Sequence, residues 1–129
     1  MSKDVVRTEA APAPFQGAPY SQAIKANGFV FVSGQLGLRP GGQELVAGGI
    51  AEQTEQVLAN LRAVLEAAGS GLDRIVKTTV FLQNLGDFAA MNEVYARHLG
   101  DRPPARSTIE VAKLPSGALV EIEAVALAG

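Results

Sequence analysis

The chain has 129 residues, a formal charge of −2, five phenylalanines, two tyrosines, no tryptophan and no cysteine. That length is close to one domain and can bury roughly two-thirds of its unfolded surface. The missing cysteines exclude disulfides and thiolate metal sites, and a slightly acidic chain this poor in aromatics disfavours nucleic acid as a partner. Met1-Ser2-Lys3-Asp4 opens no apolar leader, and no apolar run approaches the roughly 18 residues of a membrane span. The expectation is a soluble, cytoplasmic, single-domain protein over residues 1–129 with no membrane contact.

In chain order, Val5 to Glu9 reads as a short strand, followed by the stiff connector Ala10-Ala11-Pro12-Ala13-Pro14. Ala23 to Asn27 and Phe29 to Ser33 flank Asn27-Gly28, which predicts a hairpin with a type I′ turn. Arg39-Pro40-Gly41-Gly42 and Gly48-Gly49 mark loops, with a brief pairing segment at Glu44 to Val46 between them. Ile50 to Ala68 is the clearest helix: Thr54, Val57, Leu58, Leu61, Val64, Leu65 and Ala68 recur at three- and four-residue steps, Glu52, Glu55, Arg62 and Glu66 take the other side, and Gly69 stops it. Ile75 to Leu82 is a strand rich in β-branched residues. Asn84 or Asp87 caps a second helix running to about Leu99, ended by Gly100. Arg106 to Val111 and Leu119 to Leu127 close the chain as strands, joined by Lys113-Leu114-Pro115-Ser116-Gly117. Hairpin, helix, strand, helix, two strands is an α+β order, with two helices on one face of a sheet.

The residue types present limit the chemistry. No glycine-rich loop is followed by Lys-Ser/Thr, and Gly34-Gln35-Leu36-Gly37 is too little for a dinucleotide fingerprint. The single histidine, His98, lies at the end of the second helix, where a cation complements the dipole, and alone it makes neither a triad nor a zinc site. No metal and no cofactor are expected, so any chemistry falls to Arg, Glu, Asn, Ser, Tyr and water.

Five positions remain. Asn92 falls on the stripe of Phe88, Met91, Tyr95 and Leu99, either as a core amide tied to backbone or as an amide facing a cleft. Glu121 and Glu123 share a strand face with Val125 and Leu127, so they are either solvated or set at an interface or pocket. Arg106, after Pro103-Pro104, shares its face with Thr108 and Glu110; a surface pair with Glu110 is one reading and a fork held at a fixed angle is the other. Tyr20 follows Gly17-Ala18-Pro19 on a constrained loop, either packing over the sheet edge or presenting its phenol. Ser33-Gly34 ends the hairpin strand.

These positions coincide with a family pattern. In "GAPYSQAI", "FVSGQL", "EQTEQVLANLRAVLEAAG", "IVKTTVFLQNLGDFAAMNEVY", "PPARSTIEVAKLP" and "VEIEAVA" the chain resembles the RidA/YjgF family of small trimeric imine deaminases over essentially its whole length. The resemblance implies a fold like the bacillary chorismate mutase, a mixed sheet of about six strands backed by two helices, assembled as a homotrimer with clefts between subunits. It implies hydrolysis of 2-imino and 2-enamine acids such as 2-aminoacrylate and 2-iminobutyrate, released by pyridoxal-phosphate dehydratases, to 2-oxo acids and ammonia. By the same resemblance Arg106 grips the substrate carboxylate, Glu121 holds or activates water, and Tyr20, Ser33, Gly34, Asn92 and Thr108 line the cleft. Many members carry cysteine where Thr108 stands, so no thiol switch operates here, and "GAPY" replaces the common "GPY" before Tyr20. Two other functions fit the same resemblance: a sensor that binds 2-oxo or amino acids without turnover, and an RNA-cleaving, translation-inhibiting relative, against which the acidic balance and single histidine weigh.

Overall fold

The computed structural model describes residues 2–129; Met1, where the leader and single-domain readings begin, lies outside the described residues. The elements are β1 (Asp4–Val6), β2 (Ala23–Ala26), β3 (Phe29–Leu36), α1 (Ile50–Ala67), β4 (Ile75–Leu82), α2 (Phe88–Leu99), β5 (Ala105–Glu110) and β6 (Val120–Leu127), with short 3-10 turns between several of them. The strands form one mixed sheet in the order β1-β2-β3-β6-β4-β5. Only β4 and β5 pair in parallel, and α2 is the crossover that parallel pairing requires. β3 and β4 both run antiparallel to β6, which lies between them, and α1 makes their connection. The fold class is α+β, as the order of predicted elements implied.

Local chemistry explains most boundaries. Asn27 and Gly28 have φ of 54° and 84°, the two positive values of a type I′ turn, so β2 and β3 follow directly. The α1 stripe faces the sheet, with Val57, Leu58, Leu61, Val64 and Leu65 fully buried. Glu52 accepts a hydrogen bond from Gly49 N at 2.8 Å in the first turn, and Gly69, with φ 81°, ends the helix. Met91 and Val94 of α2 and Val30, Val80, Leu82, Val120 and Ile122 of the sheet complete the core.

Several boundaries differ from the sequence expectation; β5, for example, spans Ala105–Glu110 rather than Arg106 to Val111. The first strand is Asp4–Val6 and does not reach Glu9, because Gln22 captures the next segment: its Oε1 accepts from Thr8 N at 2.7 Å and its Nε2 donates to Pro12 O at 2.8 Å. Ser33-Gly34 does not end β3; the strand continues to Leu36 through an irregularity between Val32 and Gln35. Of the two candidate caps for the second helix, Asp87 is the N-cap and α2 begins at Phe88 as that alternative expects, whereas Asn84 caps a preceding 3-10 turn, Leu85–Asp87, by accepting from Gly86 N at 2.8 Å. The expected pairing at Glu44 to Val46 is a single bridge, Leu38 to Leu45.

Two buried polar side chains of α1 fix the ends of the site-bearing strands. Asn60 Nδ2 donates to Leu36 O and Leu38 O, both at 3.0 Å, and Gln53 Oε1 accepts from Leu119 N at 2.8 Å. A buried amide without such partners would destabilise the fold, so each bond also dictates where β3 ends and β6 begins. The sheet face away from the helices carries exposed Phe29, Phe31 and Leu127. Among the described residues no helix is long and apolar enough to cross a membrane.

Candidate active site in two halves

The first half forms where β3 loses its regular register. Tyr20, Ser33, Gly34 and Glu121 line one cavity of about 430 Å³, with Phe15 and Pro115 among its apolar walls. The β3–β6 register sets Leu36 opposite Glu121. Gly34 makes room for the carboxyl, since a Cβ there would lie 2.8 Å from Glu121 Cδ. Ser33 is fixed at both ends: its hydroxyl donates to Ser21 O at 2.6 Å and its N–H to Gln22 O at 3.0 Å. Tyr20 is 43% exposed and its hydroxyl accepts from Phe15 N, so the phenol is tied to its own loop.

Glu121 is half-buried and Glu123, two residues along the same face, is exposed. Burial first, and the Glu123 charge second, hold the Glu121 carboxyl above the usual carboxylate range. Among the described residues no hydrogen bond or ion pair engages it. A carboxyl with a raised pKa, no internal partner and an open cavity before it is suited to take a proton from water.

The second half lies on the helix side of the sheet. In the parallel ladder Arg106 sits opposite Thr78 and Thr108 opposite Val80, whose side chains are buried under the helices. The Arg106 guanidinium carbon is 4.8 Å from the centroid of Tyr95 and 5.5 Å from that of Phe88, both on α2. Asn92 lies between those two rings in the helix, and its Oδ1 is buried without a hydrogen-bond partner. Thr108 is half-buried on the same strand, two residues after Arg106. This half therefore offers a cationic fork and an unused amide acceptor.

Of the two readings of Arg106, the surface pair with Glu110 does not form among the described residues. Glu110 Oε1 accepts from Leu85 N at 2.9 Å, while Arg106 turns to the aromatic rings. His98 goes beyond complementing the helix dipole: its Nε2 lies 2.9 Å from Glu55 Oε2, linking α2 to α1. The structure brings Tyr20, Ser33, Gly34 and Glu121 together in one half and sets Arg106, Thr108 and Asn92 in the other. Arg106 aligns through Thr78 with Ala124 on the helix face, and Glu121 occupies the opposite face of β6. β4 separates β5 from β6, a lateral gap of about 9.5 Å. Within one chain the two halves cannot grip the same small molecule. Sequence reasoning missed Phe88, Tyr95 and Thr78 as parts of the site, because an aromatic stripe on a helix reads as core. The available signal was the Tyr95 hydroxyl, which needed a partner inside that stripe and finds Thr78 Oγ1 at 2.7 Å. Among the described residues no three His, Cys, Asp or Glu side chains converge as metal ligands would.

Residues 8–128 match the sequence model of the family described as Endoribonuclease L-PSP. A RutC family protein of Pyrococcus horikoshii is 52% identical over 124 residues, which cover 96% of this chain and 97% of that one. The 2-iminobutanoate/2-iminopropanoate deaminase of Mus musculus is 43% identical over 127 residues, 98% of this chain and 93% of its own. The crystal structure of yeast Mmf1 superposes with a TM-score of 0.94 at 43% identity, covering 99% of this chain and 100% of that one. With its six-stranded mixed sheet, two helices and near-complete alignment to these relatives, the chain belongs to the RidA/YjgF family.

Proposed function

We propose that the protein is a 2-imino and 2-enamine acid deaminase, acting as one domain per subunit in a homotrimer, with each cleft built from the Arg106 half of one copy and the Glu121 half of the next. The observation that carries this reading is the separation of the halves: Arg106, beside the α2 rings, and Glu121, in its cavity, lie on opposite sheet faces. A head-to-tail contact between unlike surfaces joins such halves, and a ring closes it. The exposed Phe29, Phe31 and Leu127 on the Glu121-bearing face support burial of that face by another copy.

In this reading the Arg106 fork meets the substrate carboxylate in two parallel charge-assisted hydrogen bonds. The enamine tautomerises to the imine, whose carbon is electrophilic. Ionised Glu121 takes a proton from water as the water oxygen bonds to that carbon; the C=N π pair moves to nitrogen, and Glu121 returns the proton there, giving a neutral carbinolamine. Glu121 then moves the hydroxyl proton to the nitrogen as the C–N bond breaks, so ammonia leaves, the carbonyl forms and the carboxylate is restored. The unpartnered Asn92 Oδ1 is an acceptor for the substrate N–H; Tyr20, Ser33 and Gly34 line the cleft from the Glu121 half, and the Thr108 backbone lines it from the Arg106 half. Imines hydrolyse unaided, so orientation and one positioned water supply the acceleration required, without a cofactor. The name of the mouse relative supports this substrate class.

The test adds the pure protein to a threonine dehydratase reaction and follows 2-iminobutyrate decay. Faster decay, with sedimentation showing a trimer, supports the proposal. Binding of 2-oxobutyrate without faster decay favours a sensor, and a stable monomer at micromolar concentration removes the shared cleft.

A further inference from the structure

Arg106 carries the longest side chain of the site, yet among the described residues no carboxylate holds it. Its surroundings are aromatic. Residues 88 and 95 are separated by two helical turns, about 10.5 Å of rise, and the guanidinium carbon lies within reach of both rings, at 5.5 Å and 4.8 Å from the centroids. Both distances fall within the roughly 6 Å range of cation–π attraction. The Tyr95 ring is only 5% exposed, and its hydroxyl bonds to Thr78 Oγ1 at 2.7 Å. Thr78 is itself the residue opposite Arg106 on the parallel ladder. The arginine, the threonine beside it and the tyrosine beneath it form a closed triangle across β5, β4 and α2.

We propose that Phe88 and Tyr95 are positioning residues that hold the Arg106 fork ready for a carboxylate, with Thr78 fixing the Tyr95 ring. This rests on the deaminase reading above and assigns to that site a part that no carboxyl partner plays. A cation–π contact engages the charge of a guanidinium without taking up its N–H donors. An ion pair would consume those same donors. Aromatic clamping therefore restricts the arginine without competing with the substrate, which lowers the ordering needed on binding. Phe88 remains 41% exposed, as expected of a ring that serves a cleft rather than the core.

The test is a set of Phe88→Leu, Tyr95→Leu and Tyr95→Phe variants, each in the parent and in an Arg106→Ala background, measured for kcat/KM on 2-iminobutyrate and for Kd of 2-oxobutyrate. Phe88→Leu should lose about 5-fold at an unchanged Tm, and Tyr95→Leu about 5- to 30-fold. Tyr95→Phe keeps the ring, so it should rescue most of the Tyr95→Leu loss while melting lower, because Thr78 loses its partner. In the Arg106→Ala background the losses in rate and binding should vanish, since a positioning residue acts only through what it positions. An independent reading is the Arg106 Nε–H proton resonance of the unliganded protein, shifted upfield by the rings and relaxing toward the free value in Phe88→Leu. Equal losses with and without Arg106, or an unshifted Nε–H resonance, would overturn the clamp. If the parent protein hydrolyses no imine, the deaminase reading fails, and the resonance still decides whether the clamp exists.

Discussion

Replacing Glu121 by glutamine keeps nearly all of the side chain's shape beside Gly34 and removes its ability to accept a proton. General-base help is typically worth ~10²–10⁴-fold. Because imines hydrolyse readily, turnover by Glu121→Gln should fall by an amount at or below the low end, about 10- to 100-fold, while 2-oxobutyrate binding, proposed to depend on Arg106, changes little. The structure adds a pH signature. Burial, then the charge of Glu123, raises the Glu121 pKa, so the acid limb of kcat/KM should lie above the ordinary carboxylate range. Glu123→Gln removes the neighbouring charge and should move that limb to lower pH. The stability sign follows from the same shift. A group whose folded-state pKa is raised contributes stability below its unfolded pKa, and that contribution is lost as pH rises through the folded value. Glu121→Gln should therefore melt above the parent at neutral pH and together with it below the carboxylate range. The assay is 2-iminobutyrate decay across the acid limb for parent and both variants, with thermal melts alongside. Parent-like turnover in Glu121→Gln, or an acid limb that ignores Glu123→Gln, would refute the assignment of Glu121 as the base.

Arg106→Lys should lose about 10- to 150-fold in kcat/KM, the equivalent of one charge-assisted hydrogen bond of roughly 1.5–3 kcal/mol. Its melting point should barely move, because Glu110 is committed to Leu85 N and loses no partner. Gly34→Ala brings a methyl group against the Glu121 carboxyl and should cost about 10-fold or more in turnover, since small displacements at the reacting centre are expensive; parent-like rates would show that the carboxyl has room to move. His98→Ala removes only the contact to half-exposed Glu55, so imine hydrolysis should be unchanged and stability should fall by about 1 kcal/mol or less, read from a denaturant melt.

Much of the frame was legible in the sequence because it depends on neighbours in the chain. The α1 stripe is a 3.6-residue repeat, β4 is a run of β-branched residues that the structure bounds at Ile75 and Leu82 as expected, and Asn27-Gly28 supplies its own turn geometry. The alternation along β6 already placed Glu121 and Glu123 on one face with Val125 and Leu127. The resemblance gathered Arg106, Glu121, Tyr20, Ser33, Gly34, Asn92 and Thr108 into one candidate site, which no local pattern could do.

The tertiary structure alone decided which of those residues meet. Strand order and register are long-range, and β6, last in the chain, inserts between β3 and β4. That insertion puts Glu121 across β4 from Arg106 and on the other face, so the two candidate groups lie apart within one chain. The Gln53 and Asn60 bonds, which pin strand ends to α1, link residues 66 and up to 24 positions apart and carry no sequence period. The aromatic rings around Arg106 were invisible for the same reason: Phe88 and Tyr95 look like core in their own helix, and only the parallel docking of β5 beside β4 brings a guanidinium within reach of both.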